Sequence, residues 1–261
     1  MSSPESTTNV HAETRGGILT ISLHRPEKKN ALSLAMYVAM TAALRAGQVD
    51  PAVRAIVLQG TADCFTSGND IADFASGPTP ERLAPIFDFL GAISTYEKPI
   101  VAAVNGLAVG IGTTMLLHCD LVCAGESARF QLPFVNLGLV PEAASSLLLP
   151  RLAGSQRAAE LLMLGEMFSA ATAREMGLVN RVTPDAECQA AAREFAAKLV
   201  AKPAAALRLT KSLLKKGSAA QVREVMAEEV KLFAARLQSP EAAEAFTAFL
   251  ERRKPDFSKF E

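Results

Sequence analysis

The stretch GLVPEAASS, residues 138–146, carries one carboxylate, Glu142, behind a proline and among small and apolar residues. A carboxylate in such surroundings can do proton-transfer chemistry, because loss of hydration disfavours its ionised form and lifts it toward a useful basicity. Leu137, Leu139, Val140 and Leu147 to Leu149 supply that setting. The same residue also has an ordinary explanation. Pro141 suits the first position of a helix, and an acid in the first turn of AASSLLL would be held by the positive helix end. The residues alone leave both readings open. Two further stretches offer backbone rather than side chains. FTSGNDI (65–71) and NGLAVGIG (105–112) each follow a strand-like run, and their glycines would let the chain approach a ligand with free N–H groups. Facing one another, they would make an oxyanion pocket, although ordinary turn packing explains the same glycines on spacing alone.

Other chemistries have weaker support. His11, His24 and His118 are the only histidines, and each reads as a leader, strand-end or core residue rather than a catalytic one. No GxSxG elbow occurs, which disfavours a serine hydrolase. Cys64, Cys119, Cys123 and Cys188 form no CxxC pair and read as reduced structural thiols, so no metal cage is expected. GIGTTM has Met115 where a dinucleotide fingerprint needs its last glycine. With 27 basic and 27 acidic residues and no long basic block, a nucleic-acid partner is disfavoured. The opening MSSPESTTNV lacks the regions of a signal peptide, and no window approaches the roughly 20 apolar residues of a membrane span. A cytoplasmic protein without a membrane partner is therefore expected.

The elements that must position these residues alternate short strand-like and helical runs from Gly17 to Val182, the pattern of an α/β layer fold. GILTISLH, RAIVLQG, KPIVAAVNG, DLVCAG and ARFQL read as strands. Residues 33–47 and 81–97 read as helices, GIGTTMLLH as a short one, and 61–80 as a polar loop. Beyond residue 180 the character changes to helices over 184–200, 203–216, 218–237 and 240–253, three of them opening at proline. Residues 1–183 are thus expected to form the α/β core and 184–261 a helical extension. The apolar face of Val222, Val225, Met226, Val230 and Phe233 would pack on the core or on another subunit.

Taken in order, HRPEKKNALS, FTSGNDIADF, KPIVAAVNGLAVGIGTTMLLHCDLVCAG, ARFQLPFVNLGLVPEAAS and FSAATAREMGLVNRV resemble the crotonase superfamily, also called the enoyl-CoA hydratase/isomerase family, over nearly the whole chain. That resemblance implies a spiral of ββα units with a helical C-terminal region that builds trimers or dimers of trimers. It also implies an acyl-CoA thioester substrate, with coenzyme A as part of the substrate and no separate cofactor or metal. It places two oxyanion-hole N–H donors at Asn69 and Ile111. Many members carry glycine at the second position, and the isoleucine is tolerable only if it adopts helical backbone angles. Hydratases of this family use two glutamates, and at the matching positions stand Thr114 and Phe134. The third family position that holds an acid is Glu142, and members with an acid there alone resemble Δ3,Δ2-enoyl-CoA isomerases. A 1,3 proton shift needs only one base. A hydratase, another crotonase-type reaction, or a non-catalytic acyl-CoA-binding member are the alternatives. By the same resemblance Arg25, Lys28 and Lys29 would contact the CoA nucleotide, and Phe249 and Arg252 would reach a neighbouring subunit's CoA. Exposed cations of this kind also read simply as a solvated face.

Overall fold

The computed structural model describes residues 9–75 and 80–260, so the opening MSSPESTT lies outside the described residues. In chain order the first half runs β1 (Val10–Arg15), β2 (Ile18–Leu23), α1 (Leu34–Val49), β3 (Ala55–Gln59), α2 (Ile71–Ala75), α3 (Pro80–Ser94) and β4 (Ile100–Val104). The middle runs β5 (Leu107–Val109), α4 (Ile111–Thr114), β6 (Leu121–Gly125), β7 (Arg129–Gln131), α5 (Ser145–Ala153), α6 (Ser155–Ala159), β8 (Phe168–Ser169), α7 (Ala170–Glu175) and β9 (Arg181–Thr183). Four helices complete it: α8 (Cys188–Val200), α9 (Ala204–Lys216), α10 (Ala219–Arg236) and α11 (Pro240–Leu250). The mixed α/β architecture with a helical C-terminal region matches the expected class.

The main sheet has the order β1-β2-β3-β4-β6-β9, parallel throughout except for β1. Strand β4 shows why its sequence is continuously apolar: Ile100, Ala102 and Val104 face one core cluster, and Val101 and Ala103 face the other. A parallel strand covered on both faces has no reason to alternate with polar residues. Cys188, Ala191, Ala192 and Ala196 of α8 pack the second face with small side chains, which lets that helix lie close to the sheet. On the first face α1 packs against α3 and contributes Met36, Tyr37, Met40 and Leu44. Ser33 starts α1 by accepting a hydrogen bond from the Met36 N–H at 3.3 Å.

A second sheet, β5-β7-β8, sits beside the first. A parallel bridge between Thr66 and Ala108 ties it to the loop that follows β3. Several elements differ from the sequence reading. The polar VHAETR segment forms β1, joined to β2 by the two-residue turn Gly16–Gly17, so His11 lies in an edge strand rather than a leader. The stretch read as a loop contains the short helix α2. Pro184 and Pro203 stand just outside the helices they were expected to open, while Pro240 is inside the first turn of α11.

Helices α10 and α11 close around the segment that carries Glu142. Phe233 and Leu237 of the α10 segment are buried in the main core and Met226 packs against it, so part of this face is covered by the chain itself, while Val222, Val225 and Val230 are half-buried. Helix α10 lies on α5, and α11 packs on a 3-10 helix at Val135–Leu137 and on α2. Arg236 donates to the Gly138 carbonyl at 2.9 Å and pairs with Glu241 at 3.1 Å. Leu209, Leu213 and Leu214 of α9 remain exposed. Among the described residues no helix is long and apolar enough to cross a membrane.

Candidate active site

The two glycine loops are brought side by side by hydrogen bonds from the Thr66 N–H to the Leu107 carbonyl at 2.9 Å and from the Val109 N–H to the Thr66 carbonyl at 3.1 Å. Asn69 and Ile111 each lie three residues beyond the bridged pair Thr66 and Ala108, which puts their N–H groups at corresponding places on adjoining segments. Neither N–H donates a hydrogen bond to any described residue. Ile111 is the first residue of α4, where a helix leaves its N–H groups without internal partners. Its backbone is helical, because Gly110 takes the turn instead, at φ 55° and ψ −118°, a conformation hostile to any side chain. A β-branched residue therefore stands at this position without strain. In the facing loop Gly68 has φ 93° and lies against the Val109 carbonyl, where an added Cβ would come within 2.8 Å. The Asn69 side chain is held by the hydroxyl of buried Tyr37, which donates to its Oδ1.

Glu142 is 5% exposed and stands three residues before α5 rather than in its first turn. The helix cannot begin at Pro141 because Ala143 and Ala144 both adopt left-handed angles, with φ 60° and 55°. That geometry costs an L-residue about 1–2 kcal/mol each, so neighbouring contacts must hold it. Two groups do so. The Glu229 carboxylate of α10 accepts from the Ala144 N–H at 2.5 Å and from the Ser146 N–H at 3.0 Å and hydroxyl at 2.5 Å, capping α5 from outside. The His118 Nε2 lies 2.8 Å from the Ala143 carbonyl, which only accepts, so the ring carries its proton there. Burial lowers the His118 pKa to about 4, which keeps the ring neutral.

Thr114, the last residue of α4, donates its hydroxyl to Glu142 Oε1. Since Ile111 and Thr114 are one helical turn apart, roughly 4.5 Å along the axis, the Ile111 N–H and the Glu142 carboxylate are joined by a single helical turn. The other oxygen, Oε2, accepts no hydrogen bond from any described residue and is free to meet a ligand. Burial pushes the Glu142 carboxyl up to about 8; the Thr114 hydroxyl opposes the rise and the Glu229 charge adds to it. Burial likewise raises the Tyr37 hydroxyl, with Glu142 adding to the effect, so the phenol stays protonated. The arrangement provides one buried carboxylate with elevated basicity next to two aligned backbone donors. Chemically, that suits removal of a proton next to a carbonyl whose oxygen is held as an oxyanion.

Phe134 is buried at the start of the 135–137 turn and offers no second acid. Arg25 pairs with Asp70 at 2.7 Å and donates to the Ala31 carbonyl at 3.0 Å, which braces the segment just after Asn69. Lys28 and Lys29 stand exposed beside it without an ion pair among the described residues. Phe249 is 59% exposed near the end of α11, and Arg252 follows in a left-handed turn; both stand apart from the Glu142 cluster in this single chain. Cys64, Cys123 and Cys188 are buried free thiols and Cys119 is half-buried. The sequence reading took His118 for a core residue, as its burial bears out, and missed Tyr37 and Glu229. Only Glu229 left a signal: a carboxylate interrupts the apolar stripe of Val222, Met226, Phe233 and Leu237 at helical spacing.

Comparison with known proteins converges on one family. The family described as enoyl-CoA hydratase/isomerase matches residues 13–259. The structure of OdaA from Pseudomonas aeruginosa is similar at 48% identity with a TM-score of 0.92, covering 94% of this chain and 100% of that one. An enoyl-CoA hydratase/isomerase structure from Pseudoalteromonas atlantica T6c is 40% identical, TM-score 0.89, covering 95% and 99%. Rat enoyl-CoA delta isomerase 2 is 35% identical over 246 residues, 92% of this chain; the chain spans 63% of that protein's length. The 2,3-dehydroadipyl-CoA hydratase of Escherichia coli K12 is 33% identical over 241 residues, 92% of this chain and 94% of that protein.

Proposed function

This chain belongs to the enoyl-CoA hydratase/isomerase family, and we propose that within it the protein is a Δ3,Δ2-enoyl-CoA isomerase acting on fatty-acyl or related thioesters. The observation that carries this reading is buried Glu142 as the one acid at the three family positions, with Thr114 and Phe134 at the two positions where the hydratases' glutamates would stand. Glu142 takes a proton from C2, and the C–H electrons move into the thioester to give an enolate whose oxygen is held by the Asn69 and Ile111 N–H groups. The carboxylic acid then returns the proton to C4, moving the double bond from C3–C4 to C2–C3. Such a base contributes ~10²–10⁴ in rate, and each oxyanion donor ~10²–10³. The reaction needs no cofactor beyond the coenzyme A of the substrate. Glu229 cannot serve as a second acid-base group for hydration, because its carboxylate is committed to three donors of the 144–146 turn.

Within this reading Lys28 and Lys29, with Arg25 behind them, meet the CoA nucleotide, and Phe249 and Arg252 meet that of a neighbouring subunit in a homotrimer or dimer of trimers. The exposed leucines of α9 support a subunit contact. The hydratase name of the Escherichia coli relative keeps hydration as the second reading. Purified protein offered a 3-enoyl-CoA and a 2-enoyl-CoA separates them. Rapid shift of the first, lost by two or more decades in Glu142→Gln while CoA-ester binding persists, is expected. Hydration of the second without a shift of the first would overturn the isomerase reading, and unchanged rates in Glu142→Gln would overturn Glu142 as the base.

A further inference from the structure

We infer that Glu229, carried on the C-terminal helix α10, is the positioning residue for Glu142: its carboxylate holds the left-handed turn that aims the base and supplies the like charge against which the base works. The inference rests on reading Glu142 as the proton-transfer group. Its geometric ground is the accommodation of two consecutive left-handed alanines directly after Glu142. Nothing in an AA dipeptide favours that conformation, and no glycine stands there to relieve it. Glu229 accepts from the Ala144 N–H and from the Ser146 N–H and hydroxyl in the first turn of the helix beyond, while His118 donates to the Ala143 carbonyl of the same Ala143–Ala144 peptide. The base is thus fixed between the 3-10 helix Met115–His118 and a helix more than 80 residues away, and neither hand touches the carboxylate itself.

All three donors to Glu229 are N–H or O–H groups, so they select its ionised form. Burial raises the Glu229 carboxyl above its ordinary value and these hydrogen bonds oppose the rise; in its ionised form Glu229 raises the basicity of Glu142, in the same direction as burial. The other titratable groups around the turn act differently. Tyr37 from α1 stays protonated, His118 stays neutral with Lys211 and Lys215 behind it, and Glu228 adjoins Glu229 and adds to its rise. Glu229 is therefore the charge through which the C-terminal helices influence the base. A merely structural cap would hold the turn without setting the pH at which the site works.

Glu229→Gln and Glu229→Asp separate the two. The carboxyl stretch of Glu142, assigned by its disappearance in Glu142→Gln, is titrated by infrared difference spectroscopy without substrate, and kcat and KM for a 3-enoyl-CoA such as 3-hexenoyl-CoA are measured against pH. In Glu229→Gln the midpoint and the acid limb of kcat/KM move down together by about half to one pH unit, and plateau kcat falls about tenfold with KM changed less than about threefold. In Glu229→Asp the charge stays and the reach shortens by one methylene, so kcat falls while the midpoint holds. An unmoved midpoint in Glu229→Gln, or an equal shift in both variants, overturns the inference. Should Glu229→Gln fail to fold, Glu229→Asp decides alone, and a lowered midpoint there overturns it. Because the infrared titration needs no substrate, wild-type protein inert toward 3-enoyl-CoA would sink the isomerase reading and leave this inference to the midpoint.

Discussion

At the two glycine loops the backbone path is set by residues within the loops, Gly68 at φ 93° and Gly110 at φ 55°, whereas the turn carrying Glu142 is set by groups 25 to 85 residues away in sequence. The first region keeps its shape through what its own residues allow. The second is two alanines in a conformation they disfavour, held by His118 and Glu229, with Thr114 on the carboxylate. Local determination by glycines is the arrangement that the proposed preorganised oxyanion stabilisation would require. Remote determination ties the placement of Glu142 to the packing of α10, which is what the proposed tuning of the base rests on.

Substitutions can sharpen or break this contrast. The largest effect is expected at Gly110, where a Cβ meets no neighbouring atom, so Gly110→Ala probes backbone conformation alone. Displacing the Ile111 N–H should lower kcat by ~10²–10³ while CoA-ester affinity holds, measured by steady-state kinetics and direct binding. A variant with full activity would show that the local glycine does not set the donor.

The second effect concerns stability. The folded-state pKa of Glu142 is raised, so the native protein holds a proton that the unfolded chain releases above about pH 4.5. Stability contributed by that protonated form is present at low pH and is lost as pH rises toward about 8. Glu142→Gln removes the cost of burying the charge and should be more stable than wild type by about 2–4 kcal/mol at pH 9, with the gap closing below pH 5. Urea unfolding at both pH values checks it; a constant gap would show that the carboxyl is not perturbed.

A smaller effect is expected from Thr114→Val, which keeps the shape and removes the hydroxyl that favours ionised Glu142. The acid limb of kcat/KM should move up by about half to one pH unit, so activity near neutrality drops about three- to tenfold and recovers at higher pH. This is opposite in sign to the shift expected from removing the Glu229 charge. Two shifts of the same sign would break the distinction between a group that favours the ionised base and one that opposes it.

The same contrast explains what the sequence made legible. The β4 run IVAAV and the glycine loops were readable because burial on two faces and positive φ are written in residue type at the position itself. The Gly16–Gly17 turn carried its own signal too, but VHAETR is too polar to read as a strand until its hydrogen bonds to β2 are seen. Glu142 could be singled out only with the family resemblance, since an acid after proline equally suggests a first helical turn. That helix starts later than the proline implies because Glu229, from another element, caps it at Ser146. No local pattern announces a cap borrowed from so far along the chain. Arg25 shows the same limit: the family resemblance implied a contact with the CoA nucleotide, and its nearest anion is Asp70.

The most direct measurement of single-carboxylate chemistry follows a label. A 3-enoyl-CoA dideuterated at C2 is converted by the wild-type protein, and the 2-enoyl-CoA product is analysed by mass and NMR spectroscopy. In the proposed mechanism buried Glu142 carries the abstracted deuteron, so a measurable share should appear at C4 of the same molecule in the first turnovers. Complete loss of the label from C4, or a 3-hydroxyacyl product in place of the shifted alkene, would contradict a one-base 1,3 shift.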